Sequence, residues 1–130
     1  MKRYVFRLLN FLYKWLPRVF LCHCRPDRSF QFRGVRFPIC ARCTGELAGI
    51  LFAALTGWFY RPSIAVLCLM LLPMVTDGAV QLLTAYESTN LRRFVTGLLF
   101  GYAGAILFAI SCSAIFMLGH GLGQQFTFLI

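Results

Sequence analysis

Three long apolar runs fill the second two-thirds of the chain. The run from Thr44 to Tyr60 is interrupted only by Glu46, the run from Ser63 to Tyr86 carries the single charge Asp77, and the run from Phe94 to Leu118 carries none. A membrane-spanning helix needs about 20 predominantly apolar residues. The second and third runs meet that length outright, and the first meets it if its helix starts near Arg42. Arg61-Pro62 separates the first two runs and residues 87–93 separate the last two. Both connections are short, which predicts antiparallel neighbours. The pattern therefore predicts an all-α integral membrane protein, a single domain over 1–130 with transmembrane helices at 44–60, 63–86 and 94–118.

The N-terminal third, as far as Cys43, follows a different pattern. Over 4–21, Val5, Leu8, Leu9, Leu12, Leu16 and Val19 recur at helical spacing, while Lys2, Arg3, Arg7, Lys14 and Arg18 interleave with them. The apolar stretches between charges are too short to span a bilayer or to form a signal-peptide core. They predict a basic amphipathic helix lying in the membrane interface, with Tyr4, Phe6, Phe11, Tyr13 and Trp15 at headgroup depth. Anionic lipid headgroups are the expected partner there, each basic residue adding about 1 kcal/mol. The alternative is that these charges only set topology. Further on, Phe30, Phe32, Val35 and Phe37 flank Arg33-Gly34, a pattern for a short hairpin-like excursion.

Composition sharpens this picture. The chain of 130 residues is 59% hydrophobic and 13% charged, against about a quarter charged for a soluble domain. Its net charge of +9 comes from 13 basic and four acidic residues, and ten of the basic ones lie in the first 42 positions. Charge gathered at one end of an apolar chain is not the spread surface that nucleic-acid binding requires, so no nucleic-acid partner is expected. The same asymmetry predicts, by the positive-inside rule, a multi-pass protein of the cytoplasmic membrane. Its N-terminus and the 87–93 loop would be cytoplasmic and its C-terminus outside.

The cysteines divide into two kinds. Cys68 and Cys112 fall inside apolar runs and read as small hydrophobes. The other four stand as Cys22-His23-Cys24 and, beyond an intervening loop over 25–39, Cys40-Ala41-Arg42-Cys43. A Cys-x-x-Cys pair directs two sulfurs at one tetrahedral ion, and a second cluster at this separation closes the site. Residues 22–43 are thus expected to form a Cys-rich metal-binding loop. Zn2+ is the expected ion and an iron–sulfur cluster the next choice. Five candidates, Cys22, His23, Cys24, Cys40 and Cys43, compete for four places. A redox-active Cys40/Cys43 dithiol is the competing reading, since a helix N-terminus and Arg42 both favour a thiolate.

Asp77 is the other departure from the apolar pattern. A carboxylate within a membrane span costs several kcal/mol unless it faces a cavity or a partner (about 2.5–3.5 by insertion scales). Asp77, Gln81, Thr84 and Ser88 fall on one face if a single helix carries them all. Pro73 and Gly78 loosen the backbone around it. The functional reading makes Asp77 an acid/base group and places Arg28, Arg42 and Arg92 around an anionic small molecule or lipid headgroup. Gln81 and Asn90 would orient that ligand. The structural alternative is a buried carboxylate paired with Arg92 or an N-terminal arginine. Small residues repeat every four positions at Gly45, Gly49, Ala53 and Gly57, and again at Gly97, Gly101 and Ala105. Such stripes permit close helix approach, and a homodimer is compatible with three spans. Gly119 to Gly123 is read as a helix end. An enzyme, an oligomeric transporter with a structural zinc site, and a thiol-redox protein all stand as readings at this point.

Several of these residues together resemble a family of small bacterial integral membrane proteins, a domain of unknown function. The resemblance is carried by Cys22-His23, by Arg28-Ser29-Phe30, by Pro38-Ile39-Cys40-Ala41-Arg42-Cys43-Thr44-Gly45, by Asp77-Gly78 with Gln81, by Ser88-Thr89-Asn90-Leu91-Arg92 and by Thr96-Gly97. It covers about residues 22–101. That family often has Gln at the position of Cys24, which implies that Cys22, His23, Cys40 and Cys43 form the shared constellation and sets Cys24 apart. It implies a bacterial inner-membrane protein and supplies no substrate.

Overall fold

A computed structural model of the chain describes residues 2–19, 22, 28–32 and 35–127. Its elements are helix α1 (Lys2–Val19), strands β1 (Gln31–Phe32) and β2 (Val35–Arg36), and helices α2 (Ala41–Thr56), α3 (Ile64–Leu83) and α4 (Asn90–Thr127). The two strands pair antiparallel, Gln31 opposite Arg36 and Phe32 opposite Val35. Apart from this short ladder, the described elements are helical. The intervening Arg33-Gly34 turn lies outside the described residues.

The helix packing runs through α4, which takes α2 along one side and α3 along another; α2 and α3 scarcely pack on each other directly. The α2–α4 contact is a backbone-to-backbone approach. A Cβ on Gly45 would fall on the Phe94 carbonyl, one on Gly49 on the Leu98 carbonyl, one on Gly97 on the Arg42 carbonyl and one on Gly101 on the Glu46 carbonyl. The two small-residue stripes therefore face each other. Their partners advance together, from Arg42 and Gly97 at one end to Gly57 and Ile106 at the other, so α2 and α4 run parallel. The intervening α3 returns the chain, as the short connections predict.

The apolar core is small: Ala53 of α2, Leu67 of α3, and Tyr102, Ala103 and Ile106 of α4, with Met70 and Leu71 packed against it. Outward, the bundle is apolar. Leu69, Leu72, Val75, Leu82 and Leu83 of α3 are exposed, as are Phe108, Ile115, Phe116 and Leu118 of α4. A continuous apolar exterior of this kind is not stable in water and is what a lipid-facing helix presents. Among the described residues, two helices are long and apolar enough to cross a membrane, Ile64–Leu83 and Asn90–Gly121. With 16 residues, α2 is shorter, about 24 Å at 1.5 Å per residue.

Several boundaries differ from the sequence expectation, and α2 spans Ala41–Thr56 where the apolar run predicts 44–60. α3 stops at Leu83, because Thr84 is extended at φ −134°, ψ 163°. The Thr84 hydroxyl donates to the Val80 carbonyl at 2.6 Å and accepts the Tyr86 N–H at 3.3 Å, a local side-chain alternative to the helical ladder. The helical face of Asp77 and Gln81 consequently does not continue to Thr84 and Ser88. α4 starts inside the 87–93 segment, where the Thr89 hydroxyl accepts the Arg92 N–H at 3.4 Å and the Thr89 carbonyl accepts the Arg93 N–H at 3.0 Å, an N-cap arrangement. At its other end α4 runs through Gly119 and Gly121 to Thr127. Each glycine lowers helix propensity by only about 1 kcal/mol, which does not end a helix of this length.

Residues 28–40 bring the cysteine segment against the bundle. Phe37 donates its N–H to the Phe30 carbonyl at 2.9 Å, Phe30 stacks edge-on against Phe94 of α4 with centroids 5.9 Å apart, and Ile39 is fully buried.

The packing predicts a matched contrast. Gly97→Ala should lower stability by about 1–3 kcal/mol, since the new methyl meets backbone that cannot turn aside. Gly104→Ala, which meets nothing within 4 Å, should be neutral or stabilise by up to about 1 kcal/mol. Thermal unfolding of both variants in the same detergent measures the difference.

Candidate metal centre and polar cleft

Cys40 occupies the position just before α2, with extended backbone at φ −67°, ψ 162°. Its carbonyl accepts both the Thr44 N–H at 2.9 Å and the Thr44 hydroxyl at 3.0 Å. One helical turn later, Cys43 returns its side chain to the same spot, so the two sulfurs lie 3.4 Å apart. Cys22 arrives from the other side and accepts the Cys40 N–H on its sulfur at 3.2 Å. All three Sγ atoms lie within 4.8 Å of one another. Around a tetrahedral zinc with Zn–S near 2.3 Å the sulfurs stand about 3.8 Å apart, so the cluster has the dimensions of such a site. His23 and Cys24, the remaining candidate ligands, lie outside the described residues.

Chemistry agrees with geometry here. The Cys43 thiol beside it lowers the Cys40 thiol to about 5, with smaller contributions from the Cys43 and Arg42 backbone and from Cys22, while burial opposes the shift. The thiolate that this shift favours is the form in which a cysteine binds a cation. The five described cysteines, Cys22, Cys40, Cys43, Cys68 and Cys112, are all free thiols. Cys68 and Cys112 are exposed on the apolar helices and stand apart from the cluster.

Between the two cysteines of the α2 pair, Arg42 reaches across to α3. It donates from Nη2 to Asp77 Oδ2 at 2.5 Å, and the Gln81 amide donates to the same oxygen at 2.8 Å. Asp77 is only 8% exposed, one helical turn before Gln81. It lies about 9 Å from the Leu83 end of α3, against about 20 Å to Ile64. The Asp77 partner is therefore Arg42, from the N-terminal group of arginines, and not Arg92.

Two clefts flank this pair. One, of about 470 Å3, is lined by Arg28, Arg42, Gln81, Thr84, Tyr86 and Glu87 among others. In it, Arg28 Nη2 pairs with Glu87 Oε1 at 3.3 Å. The other, of about 350 Å3, takes Asp77, Thr76, Tyr86, Arg92 and Thr96. Arg92 hydrogen-bonds the Tyr86 hydroxyl and lies over its ring, 5.9 Å from the centroid. Arg93 is 5% exposed and within electrostatic reach of Arg28, Arg42, Glu87 and Asp77. Among the described residues, Arg28, Arg42, Arg92 and Arg93 thus stand around two carboxylates, Asp77 and Glu87, so positive charge is in excess there. Arg42 Nε is buried and has no hydrogen-bond partner among the described residues.

The structure thus brings together Cys22, Cys40 and Cys43 in one cluster, and Arg28, Arg42, Asp77, Gln81 and Arg92 around adjoining clefts. Asn90 opens α4 and lines neither cleft. Tyr86 and Arg93 complete the site and were not singled out from the sequence. Tyr86 reads as the end of an apolar run and Arg93 as a topology charge. The available signal for Arg93 is its adjacency to Arg92, because neighbours on a helix point about 100° apart and only one of them can face outward.

A family model described as "Predicted membrane protein (DUF2085)" matches residues 22–107. The chain belongs to this family. The matched stretch of this membrane-protein family runs from Cys22 through the clefts and into the packed part of α4, and leaves α1 outside. A relative from Methanothermobacter thermautotrophicus named "Uncharacterized protein" is 42% identical over 93 residues, covering 68% of this chain and 84% of its own. "Uncharacterized protein MJ1492" from Methanocaldococcus jannaschii is 36% identical over 89 residues, covering 63% of this chain. The chain spans 57% of the length of that second relative. Both organisms are archaea, so these matches do not carry the bacterial source that the resemblance implied. No solved structure matches.

The geometry predicts unequal costs for the two ion pairs. Removing the charge from the buried one with Asp77→Asn leaves Arg42 partly buried and unpaired, and should cost about 1–3 kcal/mol. Glu87→Gln breaks a pair whose carboxylate is 74% exposed and should cost less than about 1 kcal/mol. Unfolding in detergent, monitored by circular dichroism, compares them.

Proposed function

We propose that this is a three-span membrane protein in which a Cys/His-bound zinc ion holds an anion-binding cleft in shape at the cytoplasmic face. The single observation that carries the reading is the placement of Arg42. It lies between Cys40 and Cys43 in the chain and its guanidinium is on Asp77 at 2.5 Å. A metal bound by Cys22, Cys40 and Cys43, with a fourth ligand from His23 or Cys24, would fix the Arg42 backbone and so the position of its charge. Zinc in a closed site of this kind supplies cross-linking and no open coordination position.

α2 is proposed as the third span, because it lies along Gly97 to Ile106 of α4, inside the segment of α4 that is long and apolar enough to cross. The basic excess at residues 1–42 and the pair Arg92-Arg93 favour the cytoplasmic side for the cleft by the positive-inside rule. α1 would lie on that surface, its aromatic residues in the headgroup region and its basic residues against anionic lipid.

In the cleft, the excess of arginine charge and the buried, unpartnered Arg42 Nε favour an anionic ligand, a phosphate-bearing small molecule or lipid headgroup, held by Arg28, Arg42 and Arg92. Asp77 with Gln81 would hold Arg42 in place. If the bound species reacts, Asp77 is the group positioned to exchange a proton with it.

Metal analysis and anion titration test this together. The full chain purified in detergent should carry about one zinc, which Cys40→Ser should remove and Cys68→Ser should leave. Inorganic phosphate should bind the zinc-loaded protein, and Arg28→Gln should weaken it about tenfold, the worth of one charged hydrogen bond. Protein without metal, whose phosphate affinity is indifferent to Arg28, would overturn the reading. A reversible Cys40–Cys43 disulfide in metal-free protein would replace it with thiol-redox chemistry.

A further inference from the structure

At the end of the bundle away from the arginine cleft, α2 and α4 enclose a second cavity, of about 440 Å3. Its position follows from the packing. α2 ends at Thr56 while α4 continues, and where they part Ala54 of α2 and Gly57 just beyond it lie across from Ala105 and Ala109 of α4, with Ile50, Ile106 and Ile110 completing the walls. The trench is apolar along most of its length, and its mouth carries Trp58 and Arg61.

Among the described residues, no acidic side chain stands with Arg61 at this end. It is the single basic residue between Arg42 and Arg92, and the chain has no acidic residue between Glu46 and Asp77 or after Glu87. Glu46, Asp77 and Glu87 all belong to the opposite end of the bundle, where Glu46 packs against Gly101 and the other two line the arginine clefts. From the level of Gly101 to that of Ala109 is about 12 Å along α4. Trp58, 86% exposed, is an amphipathic ring of the kind that marks the membrane–water boundary. A cation and an indole at boundary depth, beside an apolar trench lined by alanine, glycine and isoleucine, match an anionic headgroup joined to a hydrocarbon chain.

We propose that this groove binds one anionic phospholipid, with an acyl chain between α2 and α4 and the phosphate on Arg61. The site is separate from the arginine cleft and does not depend on the zinc reading. The lipid would fill the gap that the small side chains leave and would tie the α2–α3 turn to α4.

The test uses the full chain in detergent, offered phosphatidylglycerol and phosphatidylcholine in equal amounts and examined by native mass spectrometry. One phosphatidylglycerol should stay bound per chain, preferred about fivefold over phosphatidylcholine, the worth of one basic residue at an anionic surface. Arg61→Gln should remove that preference. Ala109→Phe, at an exposed position on the groove wall, should remove retention of both lipids while the melting temperature stays within a few degrees of the parent. Retention of phosphatidylglycerol by Ala109→Phe, or an unchanged preference in Arg61→Gln, would overturn the proposal. So would a dimer that Ala109→Phe dissociates without changing lipid retention, since the groove would then belong to a second copy of the chain.

Discussion

A carboxylate on a helix whose outer face is leucine and valine needs a counter-charge within hydrogen-bond distance, and here that counter-charge is Arg42. The pair is the direct link between α2 and α3, which otherwise meet mainly through α4. For Arg42 to reach Asp77, α2 must lie close along α4, and the glycine stripes allow that. The start of α2 must also be held at one height, and Cys40 and Cys43 on either side of Arg42 are placed to do so. Packing, cysteine cluster and buried ion pair are thus three parts of one constraint.

The two ends of the bundle differ for the same reason. Glycine against backbone carbonyl draws α2 and α4 together from Gly45 to Gly49, at the end that holds the arginines and carboxylates. Beyond Ala53 the contact opens, since Gly57 begins a turn while α4 continues. Polar groups therefore concentrate where the helices are tight. The other end offers an apolar gap with one unmatched cation. A protein with a single small core and this polarity relies on lipid for much of its surface.

Much of this was legible in the residues. Apolar runs over 63–86 and 94–118 correspond to α3 and α4, and the spacing of Cys40 and Cys43 placed both sulfurs on one turn. Asp77 announced itself as the charge in an uncharged run. Less was legible wherever a local side-chain bond decided the backbone: Thr84 ended α3, and Thr89 began α4 ahead of the apolar run. The identity of the Asp77 partner was equally hidden, because it depends on which of several arginines the α2–α4 register carries to α3. Tyr86 and Arg93 have no pattern of their own and become visible only when the loop between α3 and α4 is folded against them.

The central claim is that metal at the cysteines and charge at Asp77 act as one unit through Arg42. The most direct measurement is the coupling free energy between Arg42 and Asp77 from a double-mutant cycle with Arg42→Gln and Asp77→Asn, taken with zinc bound and again after chelation. The account predicts a coupling of about 1–3 kcal/mol with zinc that falls by at least about half without it. A coupling that is the same in both conditions would contradict it.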